Sequence, residues 1–184
     1  MKKNTHRMVL TAIFLALAAV LSLIKIYKLP LGGSITLLSM LPISMLSITY
    51  GYKWGFISAF LYSLIQLAMD FGEVMGWGLS PWVLIGTIVF DYLLAYSALG
   101  FSGIMRSKGI IGLCIGIGIA MTIRFFSHFI SGVILFASWC PDDWNVYLYS
   151  LCYNGSFMLP ELIFTVLGAS ALFKTSQIKK LMLR

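Results

Sequence analysis

Six apolar runs divide this chain, at about 8–27, 37–50, 53–70, 80–104, 109–138 and 147–173, each bounded by glycine, proline or charge. Most reach the roughly 20 residues that a helix needs to cross a bilayer, while the second is short. That run either spans at a thin point or sits buried among its neighbours. Peptide groups in hydrocarbon must bond internally, and no run alternates as a barrel strand does, so the runs are helices. The expectation is an all-α membrane protein, a six-transmembrane-helix bundle forming one domain over residues 1–184.

Composition agrees. Only 10% of the 184 residues are charged and the mean hydropathy is +0.94, whereas a soluble domain carries roughly a quarter charged residues. No length remains for a nucleotide-binding domain. The formal net charge of +7 is not a nucleic-acid footprint, because 10 of the 13 basic residues lie at segment ends or in short loops. With the N-terminus inside, Lys2, Lys3, Arg7, Lys53, Arg106, Lys108, Lys174, Lys179, Lys180 and Arg184 all face one side. Lys25, Lys28, Asp70, Glu73, Asp142 and Asp143 face the other, so both termini are expected in the cytoplasm. The basic start of the first run resembles a signal peptide but lacks a small-residue cleavage site, and is taken as a retained helix. Three cysteines give no even disulfide framework.

Three charges remain at membrane depth: Asp91, Arg124 and Glu161. Each costs roughly 2.5–3.5 kcal/mol at the bilayer centre on insertion scales, and such residues usually face a partner or a cavity. His128 follows Arg124 by four residues and shares its helix face. An ion pair from Arg124 to Asp91 or Glu161 that merely locks the bundle is one account, although such pairs often fail to repay their desolvation. Tyr92, His128, Tyr149, Asn154 and Gln66 add uncharged hydrogen-bonding groups, and convergent polar groups within apolar walls describe a binding pocket. Asp91 lies about 11 residues into its run, so the pocket opens outward. Its acidic mouth favours a cationic solute.

The segment 28–36 is either a lid at that mouth or a plain turn. Trp77, Trp82, Trp139, Trp144, Tyr147 and Tyr149 sit at the outer ends, where an interfacial aromatic belt is the simple alternative to ligand contact. Ala12 and Ala16, with Ala19 near the same face, and Gly112 with Gly116 form small-residue faces that let helices approach closely. Packing within the bundle suits the glycines; the alanines suit either packing or a partner. His6 and His128 are too far apart for a metal site, and no cofactor is expected. An intramembrane serine protease using His128 lacks a nucleophile setting at Ser80, Ser127 or Ser156. A stand-alone channel or structural membrane protein is the alternative from another class.

Arg124-Phe-Phe-Ser-His-Phe-Ile-Ser-Gly-Val133, Tyr149-Ser-Leu-Cys-Tyr-Asn-Gly-Ser156, Leu159-Pro-Glu161, Gly32-Gly-Ser-Ile-Thr-Leu-Leu-Ser-Met-Leu-Pro42 and Phe90-Asp-Tyr92 together carry a resemblance. The chain resembles, over nearly its whole length, the thiamine-specific substrate-binding (S) components of energy-coupling factor (ECF) transporters. The resemblance implies a non-enzymatic plasma-membrane subunit of a prokaryote that captures thiamine from outside. Its partners would be a transmembrane coupling protein, docked on the Ala12 and Ala16 face, and two cytoplasmic ATPases. It also implies ligand contacts from Asp91, Tyr92, His128, Tyr149 and Asn154, with Arg124 as a supporting partner of Asp91 and Glu161 nearby. Tryptophans of some members fall on Ser34, Tyr62 and Phe136, and some have Glu at Asp91. Trp82 or Trp139 would replace the missing aromatic area. An S component for a pyrimidine precursor such as hydroxymethylpyrimidine is the alternative within the class.

Overall fold

The computed structural model describes residues 3–175. Lys2, Lys179, Lys180 and Arg184, assigned above to the inner side, lie outside the described residues. Six helices follow in order: α1 Lys3–Leu23, α2 Met40–Tyr50, α3 Tyr52–Gly76, α4 Pro81–Gly103, α5 Gly109–Ile134 and α6 Val146–Lys174. Among the described residues five of these are long and apolar enough to cross a membrane. The exception is α2, whose 11 residues rise about 16 Å, half a hydrocarbon core. Every residue from Met40 to Ile48 is buried, so the short run is an interior helix wrapped by the others. Its serines are satisfied there, Ser47 Oγ donating to Gly100 O and accepting from Gly103 N.

Punctuation residues set the ends. Gly51 takes φ 87° to turn α2 into α3 within one residue, a conformation that glycine adopts at no steric cost. Pro81 opens α4, where its missing N–H is not needed. Asn145 caps α6, its Oδ1 accepting from Tyr147 N at 2.9 Å. Gly112 and Gly116 let α5 run against the backbone oxygens of Met105 and Ser102, which is packing within the bundle. Large apolar side chains such as Leu17, Ile111, Ile123, Phe126, Ile163 and Leu167 are left exposed, as a lipid-facing surface requires.

Two departures from the sequence expectation matter for the site. The first run stops at Leu23, and Lys25–Lys28 (β1) pairs antiparallel with Ser34–Thr36 (β2), so the first loop is a hairpin. β-Branched and aromatic residues beside the Pro30–Gly32 turn favour that pairing over another helical turn. The third run, expected to end at 70, continues helical to Gly76, which carries Asp70 and Glu73 on α3 rather than in a loop.

Arg7 stacks on Trp54 and Tyr50, and Arg106 donates to Thr49 O, which sets these two arginines at one end of the bundle. Lys28 meets Glu73 at 2.8 Å and Gly32 packs by Trp77 at the opposite end. The cavity lies toward this second end.

Candidate functional site

A cavity of about 860 Å³, open solvent at its mouth included, lies between the hairpin and α3 to α6. Its floor is a polar chain. Asp91 Oδ1 lies 2.8 Å from His128 Nδ1, and Asp91 Oδ2 accepts from Ser131 Oγ. His128 Nε2 accepts from Arg124 Nε at 3.4 Å. A guanidinium only donates, so Nε2 carries no proton and the neutral imidazole donates from Nδ1 to Asp91. Arg124 is buried, with its guanidinium 4.4 Å over the Tyr96 ring and against Met40 Sδ. Among the described residues no carboxylate lies within ion-pair reach of it.

Local backbone explains why α4 can supply four side chains. Residues Ile88–Leu94 are π-helical, and Thr87, Asp91, Tyr92 and Tyr96 all line the cavity. At about 100° per residue an α-helix would spread these four over half a turn. The wider i→i+5 turns of the π segment rotate less per residue and so bring the four side chains closer to one face.

Helix α6 supplies a ladder of rings, Tyr149 to Tyr153 at 6.1 Å and Tyr153 to Phe157 at 5.9 Å, ending on His128 at 5.8 Å. Asn154 Nδ2 donates to Ser150 O at 2.9 Å and toward His128 O at 3.4 Å. That fixes the amide orientation and leaves Oδ1 without a protein donor among the described residues. Tyr153 Oη holds the hairpin over this ladder, accepting from Gly33 N and donating to Pro30 O.

A profile of the family described as Thiamine transporter protein (Thia_YuaJ) matches residues 8–181 of this chain. The chain belongs to this family. The thiamine transporter ThiT of Bacillus subtilis (strain 168) is 30% identical over 188 residues, covering 95% of this chain and 93% of that protein. ThiT of Lacticaseibacillus paracasei is 26% identical over 145 residues, 72% of this chain and 70% of that protein. A solved structure of ThiT from Listeria monocytogenes superposes with a TM-score of 0.80 at 26% identity, each chain covered completely. Members are transporters rather than enzymes, and this chain is a membrane protein.

Within this thiamine transporter family member, Asp91, Tyr92, His128, Tyr149 and Asn154 converge on the cavity, as do Ser34, Phe136 and Trp139. Two expected residues do not. Tyr62 is fully buried behind Tyr96, ring centroids 5.5 Å apart, and donates to Ala18 O. Trp82 is 82% exposed at the start of α4 and stands outside the cavity. The supporting roles change too. Arg124 contacts His128 rather than Asp91 and itself lines the cavity. Glu161 is buried beneath the hairpin, Oε1 accepting from Thr36 N and Thr36 Oγ1 at 2.6 Å, away from the cavity wall. Gln66 likewise stands behind the wall, donating to Asp70.

Other lining residues went unmarked in the sequence. Ser131 and Gly132 lie three and four residues after His128, and Tyr153 and Phe157 follow Tyr149 at four-residue steps, so helical periodicity carried their signal. Trp77, set edge-on to Phe136 at 6.4 Å, and Asp70 are legible in the sequence only as an outer aromatic and part of an acidic mouth; their place on the cavity wall depends on α3 continuing to Gly76.

Proposed function

We propose that this chain is the membrane-embedded substrate-binding subunit of an ECF-type importer, one transmembrane unit that captures thiamine from outside. The carrying observation is a cavity whose polar floor and aromatic walls suit the two halves of that molecule, in a chain of the thiamine transporter family. Thiamine's aminopyrimidine offers an exocyclic amine and ring nitrogens. Asp91 and the free Asn154 Oδ1 accept from such an amine, the hydroxyl of Tyr149 serves a ring nitrogen, and Tyr92 lines the wall beside them with its own hydroxyl turned to Asp70. His128 and Arg124 hold Asp91 in place through the Nδ1 and Nε2 contacts. The thiazolium end belongs with the rings of Trp77, Phe136 and Trp139, where a cation over an aromatic face gains roughly 0.5–2 kcal/mol. Aromatic walls at that end favour whole thiamine over a pyrimidine precursor.

The basic residues at the end away from the cavity support a cytoplasmic assignment of that end and of both termini. Ala12 and Ala16 are exposed on α1 and form the docking face for the coupling protein, which carries two ATPases.

Calorimetry on purified protein tests the pocket. Thiamine binds the unaltered chain, and Asn154→Ala weakens it by about tenfold or more, as loss of a buried hydrogen bond to ligand implies. Gly118→Ala is the control, since a Cβ there meets nothing within 4 Å. Equal loss in both variants, or in neither, refutes the assignment.

A further inference from the structure

The cavity holds more negative than positive charge. Two carboxylates, Asp70 and Asp91, and one guanidinium, Arg124, line it, while His128 is neutral by its hydrogen bonding. The two acids stand differently. Asp91 has one protein donor on each oxygen, which leaves a second lone pair for a ligand amine, and is joined through His128 to the Arg124 charge. Asp70 Oδ2 accepts from Gln66 Nε2 at 2.9 Å and from Tyr92 Oη at 3.5 Å. Its Oδ1 has no hydrogen bond among the described residues and meets only the Lys25 ammonium, at 3.8 Å.

Lys25 is a loose partner. It belongs to the hairpin, is shared with Glu73 at 4.0 Å, and does not line the cavity. Its side chain and that of Asp70 are 25% and 22% exposed, so the pair is partly solvated and contributes little. The stronger outer pair is Lys28 with Glu73. Asp70 therefore presents, on a partly solvated stretch of the cavity wall, an oxygen with unused acceptor capacity and only a loose ammonium partner, to which a bound monocation can pair.

We infer that Asp70 is a specificity-determining residue: its carboxylate is the counter-charge that selects a ligand with a permanent cation over a neutral ring of the same shape. This rests on the proposed binding of thiamine and divides recognition between two acids. Asp91 addresses the aminopyrimidine, and Asp70 addresses the charge of the thiazolium.

The test compares thiamine with its neutral thiophene isostere, in which carbon replaces the ring N⁺. Both are titrated by calorimetry into the unaltered chain and into Asp70→Asn, Asp91→Asn and Lys25→Gln. The unaltered chain prefers thiamine. Asp70→Asn weakens thiamine by about tenfold and leaves the isostere within about twofold, which also shows that the variant is folded. Asp91→Asn weakens both ligands alike. Lys25→Gln, which keeps Asp70 and removes its competitor, strengthens thiamine by about two- to threefold and the isostere not at all. The inference is overturned if the unaltered chain binds both ligands equally, if Asp70→Asn weakens both equally or neither, or if Lys25→Gln weakens thiamine; thiamine capture then still stands. Binding of neither ligand by the unaltered chain removes the proposed function, and this inference with it.

Discussion

Gly132 shows how little room the site leaves. A Cβ at this position would press on Ser150 Oγ and approach Asn154 Nδ2 to 3.4 Å. Gly132→Ala is therefore expected to push the Asn154 amide from its place and weaken thiamine by about tenfold in calorimetry, with the fold retained. Glu161 behaves differently because it holds the hairpin and not the cavity. Loss of two buried hydrogen bonds makes Glu161→Ala less stable by about 2–4 kcal/mol, seen as a lower unfolding midpoint in detergent. Glu161→Gln keeps the Oε1 acceptor and loses less. Residues of this kind were legible in part. Asp91, Arg124, Glu161 and His128 announce themselves because charge and imidazole are out of place in apolar runs. Their partners do not, since Arg124 finds a histidine and an aromatic ring where a carboxylate was the simpler expectation.

Among the elements, α4 was the least legible. Its apolar run gives length and depth, but nothing in the residues 88–94 marks a π-helical segment, which packs against α3 and α5. Deleting Val89 should restore α-helical register, turn Asp91 and Tyr92 relative to Thr87 and abolish thiamine binding while circular dichroism still reports full helicity. Retained binding would show that the wide turns are dispensable. The hairpin was half legible: glycine and proline marked a turn over the outer mouth, whereas strand pairing at 25–28 replaced the expected end of α1. Its link to α6 runs through Tyr153 Oη. Tyr153→Phe keeps the ring ladder and removes that link, so stopped-flow measurement should show thiamine leaving several-fold faster, with arrival changed less.

For the whole molecule, bundle class and membrane placement follow from the apolar runs because the bilayer permits so few backbone solutions. Helix α2 lay at the edge of that logic, and only the surrounding helices decide that it is an interior element. The same surfaces separate capture from delivery. Ala16 is exposed on α1, away from the cavity lining. Ala16→Trp is therefore expected to leave thiamine binding by the isolated subunit within about twofold while blocking uptake by the assembled importer, as a bulky group on a small-residue docking face should. The central claim is thiamine capture by this subunit alone, and tryptophan fluorescence of the detergent-purified chain addresses it most directly, because Trp77 and Trp139 line the cavity. The account predicts saturable quenching by thiamine at submicromolar concentration, with far weaker responses to its separate pyrimidine and thiazole halves; no saturable response to thiamine, or an equally tight response to the pyrimidine half alone, would contradict it.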